Sequence, residues 1–394
     1  MKLAVLTCGM LPIPAVQGGA VENLIDFYLE YNNHKKLHDI TVFSPWDAKV
    51  ETHAELASEV NHYVFIDTTS LRARIARRIY KYLHSSSDYY NYFIEYYFEK
   101  VYTHLKKSDY DYVILENGAG LAYKLSQRGY KNIILHMHNE VRESQAKFHK
   151  IIFQNITKIL TVSDFIKRKA SVLFPADKIE TVHNGIDLKK FIRKAEPCIN
   201  RQQIGFDDND FVMVYSGRIN KEKGVSELID AMLLLKDSPN IKLMIIGGSF
   251  FGNAGNEDDF IHSLKVKASP IQQRIIFTGF VSYDKIPDYL QMADIAVIPS
   301  IWDDPFPTTE LEAQAMGLPI ITTCRGGIPE EVTEDNAILL ETDEHFIDNL
   351  AVSIHNLYQH PEKRQQMSKA SIERSKLFSK EVYAKKFFAA LEKR

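Results

Sequence analysis

Short apolar runs alternate with helical periodicities along almost the whole chain. In the first half the runs are Lys2–Thr7, Ile40–Ser44, Tyr112–Leu115, Ile133–Met137, Ile159–Val162 and Ile179–His183. In the second half they are Phe211–Tyr215, Leu243–Ile246, Ile275–Thr278, Ile295–Ile298 and Ile320–Thr323. Such runs, bounded by turn residues, predict buried strands. Val21, Leu24, Ile25, Tyr28 and Leu29 recur at helical spacing, and further helices are predicted over Val225 to about Leu235 and Thr308–Met316, the latter stopped by Gly317. The tail offers His345–Tyr358, Pro361–Phe378 and Lys380–Arg394. Strand–helix alternation of this kind predicts an α/β chain with doubly wound parallel sheets, whose ligands bind at the strands' C-terminal rim. Residues 193–210, rich in charge and containing Pro197, read as a linker between two domains.

Composition narrows the classes. A chain of 394 residues is comfortable for two domains. Its net charge of −3 argues against nucleic acid as a partner. Cys8, Cys198 and Cys324 are odd in number and lack metal spacing, which points to a reducing, cytoplasmic compartment. Met1–Val16 fits a buried first strand better than a signal peptide, because Pro12 and Pro14 interrupt its apolar run. Leu71–His84 carries Arg72, Arg74, Arg77, Arg78 and Lys81 without an acid, and Leu71, Ile75, Ile79 and Leu83 share one helical face. An aromatic segment, Asp88–Lys107, follows it. This pair could rest on an anionic membrane surface at its inner face, pack a core-facing stripe, or form an anionic acceptor groove.

The candidate chemistry lies in the loops. Gly18 and Gly19 separate the first strand from its helix, where backbone amides can meet an anion. Glu116 ends one strand, and His136-Met137-His138-Asn139 ends the next. Face alternation along the strand speaks against a two-histidine chelate, so His136 is expected to face the core or pack under the loop. Arg218 and Lys223 stand among glycines between a strand and a helix, a setting suited to a diphosphate; two solvated surface cations are the plain alternative. Asp304 and Glu312 flank the start of a helix. Thr309 and Glu312 also fit a capping box, and Asp304 also fits a solvated turn beside Pro305. Ser249–Asn256 reads as a mobile Gly/Asn-rich loop.

Taken together, these stretches resemble the retaining GT-B glycosyltransferases of the glycosyl transferases group 1 family. Asp304 through Glu312 matches the donor-site signature, with Asp304 where the family usually has Glu. Gly217-Arg218 through Glu222-Lys223-Gly224 resembles its "G-R-x-x-x-E-K-G" loop, and Asn184-Gly185-Ile186-Asp187 the end of its first domain. The resemblance implies a GT-B fold: two Rossmann-like, doubly wound parallel-sheet domains facing a central cleft. The domains would be 1–190, joined by the C-terminal helix of about 380–394 through Val382, Phe387, Phe388 and Leu391, and 191–379.

It further implies transfer of a hexose-type sugar, with retention, from a nucleotide-diphosphate sugar (UDP most expected) to a glycan, lipid-linked or protein-linked acceptor, in surface polysaccharide assembly. Arg218 and Lys223 would stabilise the leaving diphosphate without a metal or other cofactor. Asp304 and His138 would contact the donor sugar, and Glu312 the ribose. Gly18, Gly19, Gly217, Gly248, Phe280, Val281, Pro307 and Thr308 would line the donor. Two alternatives stay open: a nucleotide-sugar 2-epimerase of similar fold, and a non-catalytic scaffold or coat relative.

Overall fold

The computed structural model describes residues 1–83, 92–140, 153–196, 198–249 and 259–393, without the side chains of 54, 92 and 93. His84, Tyr89, Tyr90 and Pro197, and all of the Gly/Asn-rich loop except Ser249, lie outside them. The chain forms two compact units, Met1–Gly185 with Lys380–Arg394, and Ile186–Ser379.

The first unit holds a sheet of β1 (Lys2–Leu6), β2 (Asp39–Pro45), β3 (Asn61–Ile66), β4 (Tyr112–Glu116), β5 (Ile133–Met137), β6 (Ile156–Thr161) and β7 (Ile179–Thr181). Its order is β3-β2-β1-β4-β5-β6-β7, and every pairing is parallel. The second unit holds β8 (Phe211–Ser216), β9 (Ile241–Ile246), β10 (Ile275–Gly279), β11 (Ile295–Ile298), β12 (Ile320–Thr323) and β13 (Ala337–Leu340), again all parallel, in the order β10-β9-β8-β11-β12-β13. Central strands such as β8 and β11 are buried on both faces, which is why they read as unbroken apolar runs.

The C-terminal helix, Lys380–Glu392, belongs to the first core. Phe387 stacks on Tyr28 with ring centroids 4.2 Å apart, and Phe388 meets the same ring edge-on. Phe388 and Leu391 are buried as the pattern predicts, but the turn before them differs: Tyr383 and Ala384 enter the core, and Val382 stays half-buried. Residues 193–210 are not a loose linker. Arg193 donates to the carbonyls of Met316, Gln291 and Ala293, and Arg201 to those of Met292, Asp208 and Asp210, so the segment is fastened to the second unit.

Helix Leu71–Leu83 turns Ala73 inward and leaves Leu71, Ile75, Ile79 and Leu83 exposed, so its apolar stripe is not core-facing. Among the described residues no helix is long and apolar enough to cross a membrane.

Candidate active site

In each sheet one pair of neighbouring strands marks the point where the winding reverses, and the loops leaving that pair open a crevice at the C-terminal rim. In the second unit the pair is β8 and β11. Close backbone approach then sets the loop geometry. Gly224 has φ 70°, and a Cβ there would lie 1.8 Å from the Pro299 carbonyl oxygen. The loop after β8 is therefore pressed against the loop after β11, and this contact brings Lys223 to Asp304, where Nζ and Oδ2 form an ion pair.

Asp304 is 8% exposed, so it does not sit in a solvated turn. Its carbonyl accepts from the Gly327 amide at 2.7 Å, and its backbone leaves no room for a side chain at Gly326. Lys223 is likewise not a fully solvated cation. Arg218 is exposed, and its carbonyl accepts the Tyr215 hydroxyl at 2.6 Å. Gly217 and Gly247 cross at similar closeness, and the Gly248 carbonyl accepts from Ile219 N at 3.0 Å.

Two helices open at this rim without a side-chain cap: Val225–Leu234 behind Gly224, and Thr308–Ala315 behind Pro307. Their first amides can serve an anion. Thr309 lies inside its helix rather than at the cap, so the capping-box reading of Glu312 does not hold. Glu312 is buried, and burial lifts its carboxyl to about 8 against the opposing pull of Lys190. A neutral carboxyl can both donate and accept a hydrogen bond. Pro307 and Thr308 are half-buried, Val281 is half-buried, and Phe280 is 49% exposed after β10.

Two residues here were not foreseen. Lys190 pairs with Asp284 at 2.5 Å and lies 4.1 Å above the Tyr283 ring. Glu310 is fully buried, accepts from Thr322 Oγ1 at 2.5 Å, and is raised to about 8 by burial.

In the first unit the reversal lies between β1 and β4. Gly18 and Gly19, with φ 77° and 110°, lead into helix Ala20–Lys35, which has no side-chain cap on its first turn. The carboxyl of Glu22 lies over this mouth: a Cβ on Gly19 would be 2.1 Å from its Oε2. Burial raises Glu22 to about 7, with Glu116 adding to the shift.

The two histidines correct the sequence expectation. Residues two apart on a strand share a face, and His136 and His138 converge, with ring centroids 4.3 Å apart. Both meet Glu116 Oε2, His136 through Nδ1 at 2.9 Å and His138 through Nε2 at 2.8 Å. Tyr28 donates to the other oxygen at 3.0 Å. All three side chains are buried. Burial raises the Glu116 carboxyl, but the histidines outweigh it and hold it well below the usual range. Burial, with His136 beside it, lowers His138 despite Glu116, so its imidazole is neutral at neutral pH. The structure thus brings Lys223 to Asp304 in one unit, and His138 to Glu116 in the other.

The profile of the Glycosyl transferases group 1 family matches residues 199–374, and that of Glycosyltransferase Family 4 matches residues 32–190. The chain is 31% identical over 353 residues to the putative glycosyltransferase YtcC of Bacillus subtilis, covering 85% of this chain and 78% of that protein. It is 30% identical over 390 residues to spore coat protein SA of the same organism, covering 94% and 93%. Among solved structures, Anabaena Alr3699/HepE in complex with UDP superposes with a TM-score of 0.74 at 19% identity, covering 99% of each chain. The same protein has been solved with UDP-glucose.

Proposed function

The chain belongs to the glycosyl transferases group 1 family and is a GT-B glycosyltransferase using a nucleotide sugar; from that premise we propose that it moves a hexose from a UDP-sugar, with retention, to a surface-polysaccharide or lipid-linked acceptor. The observation that carries the reading is the Lys223–Asp304 pair at the winding reversal, between two uncapped helix starts.

The roles follow from charge. As the sugar's C1–O bond to the β-phosphate breaks, negative charge grows on the leaving diphosphate. Lys223, released from Asp304, and Arg218 stabilise that charge, together with the amides after Gly224. Asp304, freed in the exchange, accepts from donor-sugar hydroxyls. Glu312 holds the ribose hydroxyls, while Phe280 and Val281 bracket the base. The acceptor oxygen forms its new bond to C1 on the same face, and a leaving phosphate oxygen takes the acceptor's proton. No protein nucleophile and no metal enters this scheme. His138 contacts a hydroxyl of the transferred sugar.

Support for UDP comes from the HepE complexes with UDP and UDP-glucose. The test is thermal stability of the purified chain with UDP-, GDP-, ADP- and TDP-sugars. A ligand at 100 times its dissociation constant stabilises by about 2.7 kcal/mol. UDP-sugars are expected to raise the melting temperature by several degrees and the other three to have little effect; a GDP-sugar giving the largest shift overturns the choice of base.

The acceptor side is read from helix Leu71–Leu83, whose exposed apolar stripe lies among exposed Arg72, Arg78 and Lys81. This combination suits an anionic bilayer, where each basic side chain near the surface contributes about 1 kcal/mol. Replacing those three by alanine is expected to weaken binding to phosphatidylglycerol vesicles on the order of 100-fold. Equal sedimentation of wild type and variant counts against a lipid-side role.

A second reading draws on the 30% identity to a spore coat protein: a chain that binds donor and serves as a scaffold. Donor binding without turnover across an acceptor panel would favour it.

A further inference from the structure

Glu116 is not assigned a part in the scheme above, yet its carboxylate organises the first unit's rim. It ends β4 opposite His136 of β5 in the strand register. One oxygen takes the Tyr28 hydroxyl, and the other faces both histidines. The His138 contact is a hydrogen bond of 2.8 Å through Nε2. An ionised carboxylate only accepts, so Nε2 must carry the proton. In a neutral imidazole the other nitrogen, Nδ1, then holds a lone pair. Among the described residues no partner engages His138 Nδ1. His136 differs: its approach to Glu116 is close, but neither of its ring nitrogens makes an aligned hydrogen bond.

The three side chains also have the composition of a metal site. The distances speak for hydrogen bonding instead. Ligands on a tetrahedral zinc with bonds of about 2.0 Å stand roughly 3.3 Å apart, whereas Glu116 Oε2 lies 2.8 and 2.9 Å from its two nitrogens.

We infer that Glu116 is a positioning residue: it fixes His138 with its proton on Nε2, so that Nδ1 is presented as an acceptor to a hydroxyl of the transferred sugar. The inference rests on the donor-sugar role given to His138 under Proposed function. In its neutral form, which burial favours, a histidine held this way does not donate a proton toward the sugar. It can only accept, and it selects a donor whose hydroxyl points at Nδ1.

The test uses the full chain labelled with 15N-histidine, with the His138 resonances identified by their loss in His138→Asn. Wild type is expected to show the neutral Nε2–H form. In Glu116→Gln the amide can donate or accept, so that form should give way to a mixture of tautomers. Glu116→Asp, which keeps the charge, should restore it in part. In kinetics, Glu116→Gln is expected to lower kcat roughly 10- to 100-fold, the weight of one hydrogen bond to a charged group, with KM for the donor changed less than about threefold.

A wild-type His138 protonated on Nδ1, or a tautomer unmoved by Glu116→Gln, overturns the positioning role whatever the activity. So does one equivalent of metal that is retained by wild type and lost from Glu116→Gln. If the tautomer behaves as expected but no donor yields transfer, the histidine geometry stands and the glycosyl-transfer reading fails.

Discussion

Lys223→Ala is expected to lower sugar transfer by a factor on the order of 10²–10³, the scale for removing one preorganised stabiliser of developing charge. The loss should fall on kcat and kcat/KM together, because the charge Lys223 meets is largest in the transition state. A structural effect accompanies it and has to be separated. Lys223 and Asp304 pair in the folded chain with side chains 22% and 11% exposed, so removing the lysine leaves a largely buried carboxylate without its counter-ion. Asp304→Asn in the Lys223→Ala background removes that penalty without restoring a cation. Recovery of thermal stability with no recovery of transfer is the expected result. Wild-type rates in Lys223→Ala would remove the diphosphate role.

The second large effect concerns stability. Phe387→Ala is expected to destabilise the first unit by about 3–5 kcal/mol, the usual cost of deleting a buried aromatic ring. Phe387 is fully buried, stacks on Tyr28, and lies 5.6 Å from the His136 ring. Removing it opens a cavity beneath the residues that hold Glu116. A fall in melting temperature of roughly 10 °C, seen by calorimetry in the transition of the first unit, would follow. A shift under 2 °C would mean that the terminal helix contributes little to that core.

The sequence made the second unit's framework legible because its central strands are continuous apolar runs that stop at turn residues, Gly217 after β8 and Pro299 after β11. Two edge strands, Asn61–Ile66 and Ala337–Leu340, escaped notice. The first mixes half-buried and exposed positions, and the second is only four residues long after an acidic turn. Arg218, Lys223, Asp304 and Glu312 stood out by residue type and loop position. That Lys223 and Asp304 touch did not, since it follows from β8 and β11 being neighbours, and alternation along a chain does not give strand order. Glu116 was visible as a strand end, but its contacts with the histidines were hidden for the same reason: the histidines stand on the adjacent strand, and only the register between β4 and β5 brings them together. His136 and His138 were legible in principle, because a spacing of two keeps side chains on one face of a strand.

The helix Lys380–Glu392 closes the core of a unit whose other residues end at Gly185. During synthesis the second unit, Ile186–Ser379, is therefore complete before the first can be. Tyr28 and its apolar neighbours stay uncovered while nearly two hundred residues are added, and the helix that emerges after them seals the core. A nascent chain stalled or cleaved before Lys380 would carry one finished unit and one open one, the kind of half-built species that chaperones hold and proteases remove.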